Sequence, residues 1–341
     1  MPPCPNPRPR SLAGIGRSCV WLCQAPCLAA PAKVEYRHTH SDSTMKFLPT
    51  SADIPNDLIR SVSDGDVIFL CGAGVSLGVG LPTFKRLTDD VYASMGEDRS
   101  HEAAEAVAYE KEEYDRVLRS LEKRTLLHGS ESRVRVAVSE ILKVPKDADL
   151  IHHRSLLQLS RDRAGRVRLL TTNFDTLFER AAKEEGISCE SYAGKSIPRP
   201  GGADDCGILH FHGRLEDAQL GLKRSDLILT SADFGDAYLR DGWASRYIED
   251  RMRLNALILV GYRAEDAALR LLLETLDADR ERFRDLKDIY AIEKASSGSA
   301  SLWKRQGHKT TRIRGLPGYL FNLGRMGPLC QRSGGVQSTW P

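Results

Sequence analysis

The middle of this 341-residue chain alternates short, unbroken apolar runs with longer stretches in which apolar residues return every three to four positions. Runs of the first kind read as buried strands, and stretches of the second as amphipathic helices. Strands are predicted at Val67–Cys71, Val167–Leu170, Ile208–Phe211, Ala256–Val260 and Asp288–Ile292. Helices are predicted over Pro55–Val62, with Asp53 as N-cap, and over Phe84–Met95, Glu102–Leu127 and Ser132–Leu142. Two more run from Thr171-Thr172-Asn173-Phe174-Asp175 up to Gly186 and over Ala267–Leu276. Apolar strands separated by helices imply an α/β fold: a Rossmann-like parallel sheet with helices on both faces. The stretch from about 88 to 160 has helical patterns and no clear strand, so it reads as a helical insertion.

In such sheets ligands bind beyond the carboxyl ends of the strands. Four strands end in polar or glycine-rich sequences there: CGAGVS, TTNFD, HFHG and GY. The first holds Gly72, Gly74, Gly78 and Gly80 within Phe69–Pro82 but is not the dinucleotide signature G-x-G-x-x-G, because Leu77 stands where the third glycine belongs.

Composition narrows the picture. With 41% hydrophobic and 28% charged residues the chain reads as an ordinary globular protein, and no apolar run is long enough for a membrane helix. The net charge of +3 comes from the ends; residues 45–308 hold 39 basic and 44 acidic side chains, a net −5, so no nucleic-acid surface is indicated there. Cys4, Cys19, Cys23, Cys27 and Cys330 lie near the ends, leaving Cys71, Cys189 and Cys206 in the middle. Three scattered thiols and no C-x-x-C pair indicate a reducing, cytoplasmic setting and no four-cysteine zinc site. Residues 1–44 read as a disordered or non-native extension with the natural start at Met45, and 309–341 as an irregular or frame-shifted tail whose loss of strand pattern would cost the sheet an edge. The domain proper is expected over 45–308.

GAGVS with the following GLPTF, then TTNFD, HFHG and VGYRAED, in that order from about Asp66 to Lys304, resembles the sirtuin family. The likeness is greatest to its bacterial sirtuin-like branch, which cleaves NAD. That resemblance implies NAD as substrate and assigns roles. Gly72, Ala73 and Gly74 leave room for a pyrophosphate against backbone N–H groups, with Ser76 as a hydroxyl donor; a glycine turn needed only for packing is the alternative. Pro82, Phe84, Thr172, Gly213 and Gly261 complete the expected cofactor contacts, together with Glu293 on the adenosine ribose. Asp266 is equally a helix cap or a ligand contact.

Breaking the nicotinamide–ribose bond builds positive charge on the sugar, as in glycoside hydrolysis. A carboxylate stabilises that cation and an amide holds a water or a ribose hydroxyl in line. By resemblance, Asn173 positions the nucleophile or ribose and Asp175 contacts the nicotinamide end; either residue could alternatively cap the next helix. His212, at the His-Gly position, is the expected general base. His210, two residues earlier, is expected on the same side of the strand.

The chain departs from protein-deacylating sirtuins in lacking two cysteine pairs for zinc and in reading Thr83-Phe84-Lys85 after GLP. No zinc is expected. An NAD+ glycohydrolase acting in antiviral defence fits these departures; a zinc-free deacylase and a non-catalytic NAD or ADP-ribose sensor are the alternatives. NAD+, a regulatory or sensor protein and a second copy of the chain are the candidate partners, with no nucleic acid and no membrane.

Overall fold

In a computed structural model the chain divides into two units, Met1–His40 and Ser41–Pro341. The structure describes residues 44–45, 54–128, 130–144, 146–215, 224–262, 267–280, 282–283, 285–294 and 309–313, all in the second. Of the expected extension over 1–44, Thr44 is described and residues 1–43 are not, and the Asp53 cap also lies outside the described residues.

A two-residue antiparallel ladder, β1 (Thr44–Met45) with β2 (Ile54–Pro55), precedes α1 (Asn56–Asp64). Then β3 (Val67–Cys71) runs into two short 3₁₀ turns, Ala73–Val75 and Leu77–Val79. Five helices follow: α2 (Phe84–Met95), α3 (Ala103–Glu110), α4 (Tyr114–Thr125), α5 (Arg133–Ile141) and α6 (Ile151–Leu159). The helix expected over Glu102–Leu127 is thus broken in two, at a turn where Glu112 takes φ +60°. Next come β4 (Arg168–Thr171), α7 (Leu177–Glu184), β5 (Ser191–Ala193), β6 (Gly207–His210), α8 (Ser231–Phe234), a π-helical segment Gly235–Arg240 and α9 (Trp243–Leu254). The described chain closes with β7 (Ala256–Val260), α10 (Ala267–Asp279), β8 (Ile289–Lys294) and β9 (Lys309–Ile313). Among the described residues no helix is long and apolar enough to cross a membrane.

Seven strands form one sheet in the order β5-β6-β4-β3-β7-β8-β9, every neighbour parallel. Alternate residues of each strand feed separate cores. Val67, Phe69, Leu169, Ile208 and Ile258 pack with residues of α1, α2 and α4 to α7, whereas Ile68, Leu70, Leu170, Leu209 and Leu257 pack with α9 and α10. A sheet buried on both faces explains why its strands are continuous apolar runs. β5 escaped prediction because Ser191, Tyr192 and Ala193 are half-buried edge residues with no apolar run. β9 differs from expectation as well. The tail read as irregular from Lys309 supplies an edge strand, Lys309–Ile313, in parallel register with Tyr290–Lys294, and its β-branched Thr310, Thr311 and Ile313 suit that place. Residues 314–341 lie outside the described residues.

From β3 the chain proceeds to β4 on one side, and from β7 to β8 on the other. The crevice therefore opens beyond the ends of β3 and β7. Here the glycines find their reason. The Gly74 N–H donates to the Gly261 carbonyl at 2.8 Å and the Gly72 N–H to that of Val260 at 3.0 Å. A β-carbon on Gly74 would lie 2.7 Å from Gly261 Cα, and one on Gly261 2.6 Å from Val75 N. The two exit loops interlock backbone to backbone, which no larger residue permits.

Gly261 also holds φ +61°. Gly261→Ala should therefore combine left-handed strain with a forced contact, a loss of about 3 kcal/mol measured by urea unfolding. Gly80 shares the left-handed conformation (φ +88°) but has open space around it, so Gly80→Ala should cost about 1 kcal/mol. Equal losses at the two positions would refute the interlock.

Candidate active site

Around that crevice one cavity gathers residues from every strand end that the sequence marked. Ala73, Gly74 and Ser76 reach it from β3, Pro82 and Phe84 from the segment leading into α2, Thr172, Asn173 and Asp175 from β4, His212 from β6, and Gly261 from β7. Leu81, Leu87, Phe174, Ile228, Phe234, Tyr262 and Leu142 of the helical insertion add apolar wall. Two expected contacts lie beside the cavity. Gly72 is required because its β-carbon would meet Tyr262 Cα at 2.7 Å; Gly213, at φ +91°, packs against the backbone of Asp226 and Leu227. Glu293 falls in β8, and its side chain, like all of Asp266, lies outside the described residues.

The turn after β4 is set by threonine. Thr171 Oγ1 donates to the Cys71 carbonyl at 3.1 Å and accepts the Asn173 N–H at 3.1 Å, while the Thr172 N–H donates to Cys71 at 3.0 Å. This bends Asn173 and Asp175 over the end of β3, where buried Ser76 joins them. Asn173 Nδ2 donates to Ser76 Oγ at 3.1 Å, and Ser76 gives its proton to Asp175 Oδ2 at 3.1 Å. With that proton spent, Ser76 can only accept from His153 Nε2, 3.3 Å away. His153 Nδ1 is left buried without a partner. The Asn173 amide nitrogen thus faces Ser76, and Oδ1 is the atom left to accept a ligand O–H. Burial pushes Asp175 up from the ordinary carboxylate range, against the Leu177 N–H, the nearby His210 charge and the Ser76 hydroxyl. The capping role is also real, since Asp175 Oδ1 accepts the Leu177 N–H at 3.2 Å. One carboxylate does both.

The two histidines part company. β6 ends at His210 and the chain turns over Phe211–His212, so the strand alternation that would put both rings on one side no longer applies. His210 donates from Nε2 to Glu179 of α7 at 2.8 Å and from Nδ1 to the Asn173 carbonyl at 3.0 Å. Donation from both nitrogens makes it an imidazolium. Burial, the largest single influence, would lower the pKa, but the Glu179 charge together with the hydrogen bonds to Glu179 and Asn173 raises it. Glu179 is held down to about 2: burial works against ionisation, and His210 and Ser191 override it. With both nitrogens engaged and its ring off the cavity, His210 holds Asn173 in place.

His212 is buried among aromatic rings, 5.1 Å from Phe234, 5.8 Å from Phe211 and 6.0 Å from Tyr238 between centroids. Its Nε2 and the Tyr238 hydroxyl share a hydrogen bond of 2.8 Å. Desolvation lowers its pKa to about 3, so the ring is neutral, and the same burial disfavours its charged form. Sequence reasoning missed Phe234, Tyr238 and His153. The first two sit in a segment without sheet or helix period, and His153 reads as one more polar position in α6. Arg135 of the insertion secures that segment: buried, it donates to the Leu227 carbonyl at 2.7 Å and to Asp233 at 2.6 Å. Asp233 in turn accepts from the Thr230 N–H at the start of α8 at 2.8 Å.

Among the described residues no cluster of histidine, cysteine and acidic side chains could hold a metal ion.

Residues 167–311, from the start of β4 into β9, match the SIR2-like domain family. This supports the sirtuin-like superfamily that the motifs resemble, whose members generally have NAD-dependent activity. An uncharacterized protein, y4cA, of Sinorhizobium fredii (strain NBRC 101917 / NGR234) is 44% identical over 267 residues, 76% of this chain. The chain spans about a fifth of that relative's length, 22%.

Proposed function

We propose that this chain binds NAD+ in the cavity at the ends of β3 and β7 and hydrolyses its nicotinamide–ribose bond. The observation that carries this reading is the convergence of Asn173, Asp175 and neutral His212 on one cavity. The bond's electron pair leaves with nicotinamide, and positive charge develops on the ribose, where the Asp175 carboxylate opposes it. A water whose O–H is held by Asn173 Oδ1 adds its oxygen to the anomeric carbon and passes a proton to His212. The products are nicotinamide, ADP-ribose and one proton. Ala73 offers backbone at the crevice for the pyrophosphate, the Gly74 N–H being already given to Gly261. Depletion of cytoplasmic NAD+ in antiviral defence, under the control of a partner protein, is the biological role proposed from the resemblance.

The test is nicotinamide release from NAD+ by the purified full chain, with and without an acyl-lysine peptide, alongside calorimetric titration with NAD+. Release without peptide is the expected result. Release only with peptide would make the chain a deacylase, and binding without release would make it a sensor.

A further inference from the structure

Ser76 lines the cavity together with Asn173 and Asp175, and His153 of α6 stands behind it, buried and off the cavity wall. The Ser76 oxygen has three neighbours: Asn173 Nδ2 and Asp175 Oδ2, each at 3.1 Å, and His153 Nε2 at 3.3 Å. A hydroxyl has one proton and two lone pairs. Three partners saturate it and leave nothing for a ligand.

Counting those atoms fixes the direction of each bond. An ionised Asp175 can only accept, so it takes the one hydroxyl proton. Both other neighbours must then donate. Asn173 turns Nδ2 to Ser76 and leaves Oδ1 for the cavity, and His153 carries its proton on Nε2. The opposite arrangement needs a protonated Asp175 that donates to Ser76, which in turn donates to His153. The ring proton would then sit on Nδ1, which is buried with no partner among the described residues. A buried N–H without an acceptor costs more than an under-used lone pair. The first arrangement leaves only the lone pair unmet.

The ring is held by its own surroundings. Leu156 and Leu157 anchor α6 in the core, and the His153 ring meets Phe178 of α7 edge-on at 4.8 Å. Asn173 and Asp175 belong to the turn after β4, so of the three partners of Ser76 only His153 comes from outside it. With His153 removed, a lone pair on Ser76 opens to water or a ligand hydroxyl, which then competes with the Asn173 amide.

We propose that His153 is a positioning residue of this site: its Nε2–H closes the last lone pair of Ser76 and so holds the Asn173 amide with Oδ1 toward the ligand. Its part in turnover rests on the hydrolase reading; the direction of the hydrogen bonds does not.

The experiment uses the full chain. At pH 7 nicotinamide release by His153→Phe should fall about 10–100-fold in kcat with KM little changed, the scale of a supporting group lost beside the chemistry. His153→Gln, which carries an N–H at the same reach, should keep most of the wild-type rate. Packing alone would rank the two the other way, since phenylalanine is nearer to the ring in shape and glutamine buries an extra carbonyl. A His153→Phe protein as fast as the wild type, or a His153→Gln protein as slow as His153→Phe, overturns the proposal. Long-range proton–nitrogen spectra of the ¹⁵N-labelled wild type test the same point without turnover, the His153 signals being identified by their loss in His153→Gln. The ring proton should lie on Nε2, and its signal should move in Ser76→Ala. A proton on Nδ1, or an Nε2–H indifferent to Ser76→Ala, overturns the proposal. Should the wild type release no nicotinamide, the hydrolase reading falls and these spectra alone decide the proposal.

Discussion

His212→Ala is expected to lower nicotinamide release by about 10²–10⁴-fold, the range that a positioned general base contributes. The wild-type pH dependence should be unusual for a histidine base. The burial that holds the His212 pKa at about 3 keeps the ring unprotonated at every pH above that value. Because kcat/KM reports the free enzyme, it should show no acid limb from His212 between pH 5 and 8. An acid limb centred near 6.5, the ordinary histidine value, would contradict the desolvated setting made by Phe211, Phe234 and Tyr238. A His212→Ala protein that still releases nicotinamide at the wild-type rate would remove His212 from the mechanism.

Acid should unfold this protein through its buried neutral histidines. His153 is held at about 4 and His212 at about 3, burial being the leading cause for both. Each folded value lies below the unfolded 6.5, so as pH falls through 6.5 the unfolded chain takes up protons that the native state refuses. Each histidine then costs about 1.4 kcal/mol per pH unit until its folded value is reached. By pH 4.5 the two together should remove about 5 kcal/mol, a large part of an ordinary domain's stability. His210 works the other way: its raised pKa keeps it protonated in the fold, so its contribution is lost as pH rises above the unfolded 6.5, is fully present below it, and adds nothing to the loss from there down. Glu179, held at about 2, adds its own loss only as pH falls below the unfolded carboxylate range. Urea unfolding at pH 7 and 4.5 measures the total. In His153→Phe the average slope between those values should drop by about 1.1 kcal/mol per unit. An unchanged slope would mean that His153 is protonated inside the fold.

Most of the sheet was legible in the sequence. β3 and β7 lie at their predicted bounds, and β4, β6 and β8 within one or two residues of theirs, because a strand buried on both faces has to be an apolar run. The strand-end motifs were legible for a related reason: polar and glycine residues directly after such a run have few uses other than a turn or a site. Ten of the thirteen expected site residues accordingly line one cavity.

What the tertiary structure decided was how those residues divide their work. Whether Gly72, Gly74 and Gly261 serve a ligand or the chain depends on what stands opposite them, and what stands opposite is each other's backbone or the start of Tyr262. Choosing between His210 and His212 depended on where β6 stops, since one turn sends the first ring to Glu179 and the second to Tyr238. The roles of Ser76 and His153 emerge only when β3, β4 and α6 converge from positions 77 and 99 residues apart in sequence. Residue type and local period record what a segment can become. Hydrogen-bond partners and desolvation are set by distant segments, and so belong to the fold.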